Sequence, residues 1–185
     1  MGMKSDLIDL LESSARIIEY AITCIPQDRF EESPPHGDHP KSHKGFKTYF
    51  GTWSGARLLF HLVFYEHTYA IPTMEHWLGA RHPQVDLIFP ESDLEDVAWS
   101  QSVQDGLDKG SLIAAFRSVR SQQIKIIKKI REEEIHQEMA ATGLGKISFV
   151  FVVSKTIQHT LEHGNDLMKN VLYWERALAW LDEQD

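Results

Sequence analysis

His159 and His163 stand four residues apart in SKTIQHTLEHGND, and on an α-helix that spacing puts them one above the other on a single face. Two imidazoles so placed can close on one metal ion. A third, His61, lies in ARLLFHLVFYE, a segment too apolar to leave a polar side chain without a partner. Burying three imidazoles together with no cation between them sets donors and acceptors against one another in a low dielectric. With a cation, three neutral nitrogens leave the ion its full charge and an open coordination position, the arrangement of a catalytic rather than a closed structural site. Such an ion lowers the pKa of bound water, or of a bound thiol, so that the anion forms near neutral pH. Imidazole suits Zn, Ni and Fe alike, so the donor set does not choose the metal.

Taken singly, these residues have blander readings. His61 alone on a buried helix reads as a hydrogen-bonded core histidine, and i, i+4 pairs arise by chance in a chain with ten histidines. The set of three carries the inference. Glu133-x-x-His136 matches half of a di-iron carboxylate site, but Tyr69 follows Glu66 and Asn165 follows Glu162 where the second half needs a histidine. His-Glu-x-x-His, a nucleophile elbow and a phosphate-binding glycine loop are all absent. His36, His39 and His43 fall in a Pro- and Gly-rich stretch whose spacing matches no preformed zinc site, and read as part of a solvated loop. Cys24 falls near the end of the first helix, where the dipole raises a thiol pKa, and reads as a core filler. Glu66, His67, Tyr69 and Glu162 are candidates to hold the second N–H of a ligating imidazole, with Glu162 turned to solvent on helical pitch. None of the four reads as a ligand, and no residue is singled out as catalytic.

The elements that must position the histidines follow from periodicity. Leu7, Leu10, Leu11, Ile17, Ile18, Ala21 and Ile22 predict a first helix over about 5–25, ended by Pro26. Residues 26–52 read as a long loop. Ser54 is the expected N-cap of a second helix running to Gly79, with a kink or break after Ile71 because of Pro72. Residues 80–110 form a long acidic connection with a short helix near Asp93 to Trp99. Ser111 is the expected cap of a third helix carrying Leu112, Ala115, Phe116, Val119, Ile126, Ile127 and Ile130. Lys125, Lys128, Lys129 and Glu132 to Glu134 read as a solvated face. After Gly143 and Gly145, a fourth helix spans about 146–182, with Val150, Val153, Ile157, Leu161, Gly164, Met168 and Val171 as its apolar sector. His159 and His163 fall on its flank, beside Val152, Leu167 and Trp174. Phe149 to Val153 has strand-like composition, but the helical period continues through Leu181. The expected fold is all-α: an antiparallel four-helix bundle with long connections, one domain over 1–185.

At 185 residues and 42% apolar the chain is long enough for one substantial core. A net charge of −8 and no basic stripe argue against nucleic acid or an anionic membrane as partner. With a single cysteine, no apolar leader and no membrane-length apolar run, the expected compartment is the cytoplasm. Five tryptophans and nine phenylalanines exceed what one four-helix core takes up, so a homodimer is expected.

Trp53-Ser54 opening the second helix, Leu59-Phe60-His61-Leu62 in its middle and His159-x-x-x-His163 in the last helix together resemble the DinB-like, or YfiT-like, family of metal-dependent helical bundles. The resemblance covers essentially the whole chain in helix order and histidine placement. It implies that His61, His159 and His163 are the ligands of a divalent ion. It further implies a small-molecule substrate and a thiol transferase, isomerase or hydrolase activity, with a low-molecular-weight thiol as possible cosubstrate. One departure stands out: members often follow the last histidine with Arg-Gly-Gln, whereas this chain has Gly164-Asn165-Asp166. Fold does not deliver reaction, so two classes stay open: a metal-dependent enzyme acting on water or a thiol, and a non-catalytic metal- or ligand-binding bundle protein.

Overall fold

A computed structural model describes residues 2–34, 49–81, 92–141 and 145–183. His36, His39 and His43 lie outside them. The first helix, α1 (Met3–Cys24), buries Leu7, Leu11, Ser14, Ile18, Ala21 and Ile22, a face made by the i, i+3 and i+4 spacing of those residues. That face packs chiefly on α6 (Phe149–Leu172). At Gly164 side chains of α1 come close to the α6 backbone, and a Cβ there would stand 3.2 Å from Ile17 Cγ2 and 3.4 Å from Ile18 Cδ1.

Ser54 caps α2 (Gly55–Tyr65) as expected, its hydroxyl accepting from the Arg57 N–H at 3.1 Å. Pro72 does not break the helix. A π-turn over Glu66–Ala70 precedes α3 (Ile71–Glu75), and the Ile71 N–H bonds five residues back to the Glu66 carbonyl. The wider turn takes up the proline's missing donor and ring bulk without stopping the helix. A 3-10 turn, His76–Leu78, then ends at Gly79, whose φ of 89° lies in the left-handed region that glycine enters freely.

The expected short helix near Asp93 is longer, α4 (Ser92–Gln104). Asp108, not Ser111, caps α5 (Lys109–Lys129): its carboxylate accepts from the Ser111 N–H at 3.0 Å. The fourth helix starts at Phe149 rather than near 146, because β1 (Glu138–Ala141) and β2 (Gly145–Ser148) form an antiparallel hairpin, Met139 opposite Ile147. Strands of four residues carry too little alternation to register as a period. Ser148 caps α6 through the Phe151 N–H at 3.2 Å, so the apolar run after it is helical. After a second π-turn (Tyr173–Ala177) the chain closes with α7 (Leu178–Asp182).

The buried face of α6 keeps Val153, Ile157 and Gly164 of the apolar sector read in sequence and extends over its flank. Leu161 is 45% exposed, while Val152, Thr156, His159, Thr160, Leu167 and Asn170 face inward. Thr156 and Thr160 tolerate burial because each hydroxyl donates to the carbonyl four residues back. The result is mostly helical, with one two-stranded sheet. Among the described residues no helix is long and apolar enough to cross a membrane.

Candidate metal centre

His61 projects from the middle of α2, and His159 and His163 from successive turns of α6, which packs beside it. One ring nitrogen from each lies within 4.8 Å of the other two. His61 Nε2 and His159 Nε2 are 2.9 Å apart. Three nitrogens bound tetrahedrally at ~2.0–2.1 Å from one zinc stand about 3.3 Å from one another. The triad is thus drawn together to nearly the spacing one ion requires.

The surroundings of the rings settle their protons. Glu95 Oε2 lies 2.7 Å from His61 Nδ1, and a carboxylate there keeps the proton on Nδ1 and leaves the Nε2 lone pair aimed at the centre. Asp166 Oδ2 lies 3.3 Å from His163 Nδ1, within ion-pair reach though not aligned as a hydrogen bond. His159 Nδ1 is buried with no hydrogen-bond partner among the described residues, and its ring lies against Tyr65, centroids 4.1 Å apart. Burial, then the neighbouring His163 and His61, push the His159 imidazole down to about 2. Burial and His61 push His163 down to about 4, against the opposing pull of Asp166. Both are therefore neutral at pH 7, the state in which imidazole ligates a metal.

Glu95 is itself held. Its Oε1 lies 2.8 Å from Arg57 Nη1, and Arg57 Nη2 donates to Asp96 at 2.8 Å. The Arg57 guanidinium sits 4.8 Å from the Trp53 ring, 5.2 Å from Trp99 and 5.8 Å from Phe60. Arg57 thus clamps α4 to α2 and delivers Glu95 to His61. Trp53 also covers the triad, its ring 5.1 Å from His61 and 6.2 Å from His163, stacked on the latter.

On the inner side of α6, the fully buried Glu66 pairs with Arg120, whose guanidinium also donates to the Thr160 hydroxyl. Burial pushes the Glu66 carboxyl up to about 7, against the lowering pull of Arg120. The pair ties α2, α5 and α6 together one residue from His159, without touching an imidazole itself.

Of the four candidates to support the imidazoles, Glu66 serves Arg120, Tyr69 is buried, and His67 and Glu162 are exposed. The supporting carboxylates are Glu95 and Asp166, which sequence reasoning missed. Asp166 was findable, because it stands three residues after His163 on one helical face. Arg57 precedes His61 by four and was findable the same way. Glu95 had no such signal. His136 and its neighbour Glu133 lie at the surface, far from the triad in burial and role. Cys24 is half-buried at the end of α1 and not part of the fully buried core. Compared with known proteins, the chain matches no family model and no curated sequence.

Proposed function

We propose that His61, His159 and His163 hold a divalent metal ion and that the chain is a metal-dependent enzyme acting on water or a low-molecular-weight thiol. The observation that carries this reading is the convergence of three imidazole nitrogens within 4.8 Å, two of the rings backed by carboxylates at Nδ1. Structural zinc sites close all four positions with protein donors; three donors here leave one open. The His61 and His163 side chains keep 14% and 18% of their surface exposed, which supports access from outside.

The chain's own residues divide the work. Glu95 retains the His61 Nδ1 proton and orients the ring, while Asp166 faces the corresponding edge of His163. Trp53 and Tyr65 wall the triad with their rings. When bound, the ion supplies the positive charge that lets water or a thiol ionise near neutral pH. Zn, Ni and Fe all suit this donor set.

The helix order and histidine placement support a DinB-like antiparallel four-helix bundle, α1, α2 with α3, α5 and α6 being its four arms. A cytoplasmic homodimer is part of the same proposal. Exposed Leu10, Ile17 and Tyr20 on α1, with Leu161 on α6, offer apolar surface for a second copy.

Metal analysis of untagged protein, wild type beside His159→Ala and taken on the peak that sediments as a dimer, tests the reading. Near one equivalent of Zn, Ni or Fe per chain, lost in the variant, is the expected result. No metal in either protein, even after incubation with excess ions, would overturn it and leave a bundle with packed histidines. An ion whose bound water does not exchange would instead favour a non-catalytic metal-binding protein.

A further inference from the structure

A cavity of about 150 Å³ opens beside His163, its wall including Tyr49, Trp53, the Asp166 carboxylate, Lys169 and Asn170. A cavity of that volume takes a molecule the size of benzene, on the order of six heavy atoms. Its wall is not uniform. Trp53 and Tyr49 present rings, Lys169 presents a cation, and Asn170 an amide.

Lys169 has the capacity for a further ligand. Its ammonium bonds Asp166 Oδ1 at 3.0 Å and lies 5.7 Å from the centre of the Tyr49 ring. An ammonium carries three donors, and Asp166 and the ring face do not use them all. Asp166 in turn spreads its charge over two neighbours, Lys169 at Oδ1 and His163 at Oδ2, so it repels an incoming anion less than a bare carboxylate would.

Asn170 adds a second observation. Its Nδ2 donates to the Trp53 and Asp166 carbonyls, each at 3.3 Å, and two carbonyl acceptors fix which end of the amide is nitrogen. That leaves Oδ1 buried with no hydrogen-bond partner among the described residues. A buried acceptor in this position calls for a donor. In a chain of net charge −8, a lysine next to a dication site is a local positive spot that draws anions in.

We infer that this chamber is the acid-binding subsite of the centre: Lys169 takes the anionic group of a small substrate whose reacting atom lies toward the three histidines. The inference rests on the metal reading above and adds the class of substrate, a small organic acid of roughly six heavy atoms.

The test uses the untagged full chain loaded with cobalt(II), titrated with 3-mercaptopropionate and separately with the neutral 3-mercaptopropan-1-ol, reading the thiolate-to-cobalt band. The wild type is expected to bind the acid about tenfold or more tighter than the alcohol, the size of one charge-assisted contact. Lys169→Met should abolish that preference and leave the alcohol unchanged, and Lys169→Arg should keep it. Equal affinity for acid and alcohol in the wild type would overturn the inference. So would a Lys169→Met variant that weakens both ligands alike, since that would make the lysine a mere support for Asp166. Absence of any cobalt ligand-field band is a different failure, of the three-histidine site itself.

Discussion

At the scale of single residues the centre depends on where protons are kept. A His61 imidazole with a carboxylate 2.7 Å from Nδ1 presents Nε2 as a bare lone pair, and the negative charge behind the ring makes that lone pair a better donor to a cation. Glu95→Gln keeps the size of the side chain and removes the charge. We expect it to weaken zinc binding about 10–100-fold, measured by competition against a chromophoric chelator, with the helical circular dichroism unchanged. Unaltered affinity would mean that Glu95 serves Arg57 alone. The three histidines were legible in the sequence because two share a helical face and the third interrupts an apolar run. Glu95 was not, because it lies 34 residues from His61 across a connection with no periodicity. Only the folded contact of α4 with α2, through Arg57 and its ring of Trp53, Trp99 and Phe60, brings it in.

Among elements, the Glu66–Arg120 pair is the joint. It links the π-turn after α2 to α5, and through the Thr160 hydroxyl to α6, so the two helices that carry the triad share one buried anchor. Removing Arg120 leaves Glu66 buried without its cation, and the carboxyl then takes up a proton rather than stay charged. Arg120→Met is therefore expected to cost about 1–3 kcal/mol, the cost of buried polar groups left unsatisfied, and the double variant with Glu66→Gln to recover most of that loss, measured by urea midpoints as a double-mutant cycle. Simple additivity of the two substitutions would show that they do not act as a pair. The joint also explains what the sequence hid. Helix existence and order were readable from apolar periodicity in α1, α2, α5 and α6, but the inward face of α6 only in part: Val153, Ile157 and Gly164 are buried as read, while Thr156, Thr160 and Asn170 are polar and still point in. Polar residues buried in the core carry no hydrophobic signal. The hairpin before α6 escaped for a different reason, its strands being only four residues long. Pro72 marked an irregularity without a stop, because a π-turn can absorb a proline that an α-helix cannot.

For the whole molecule, three buried ionisable groups set how stability follows pH, and they pull in two directions. His159 and His163 are held to about 2 and about 4 in the folded chain against ~6.5 unfolded. Below ~6.5 the unfolded chain takes up protons that the folded chain refuses, so their contribution is complete above that pH and is lost as pH falls toward about 4 and then about 2. Glu66 acts oppositely. Its folded pKa of about 7 lies above the unfolded ~4.3, so the folded chain holds the extra proton and gains stability as pH falls through about 7 toward ~4.3. Over that window Glu66 cancels roughly one of the two histidines. The metal-free chain should therefore be nearly flat above pH 7 and lose on the order of 1 kcal/mol per pH unit below ~6, the worth of one net proton. A bound cation competes with protons for the same nitrogens, so the metal-loaded chain should start from a higher plateau and fall more steeply on the acid side. Urea melts at pH 5, 6, 7 and 8, with chelator and with saturating zinc, separate the two curves. In Glu66→Gln the proton that offsets a histidine is gone, and the acid limb of the metal-free chain should steepen toward two protons' worth, about 2.7 kcal/mol per pH unit. A metal-free chain equally stable at pH 5 and pH 7 would mean that the histidines are not kept neutral by burial, and that the site is more open to water than its packing against Tyr65 and Trp53 allows.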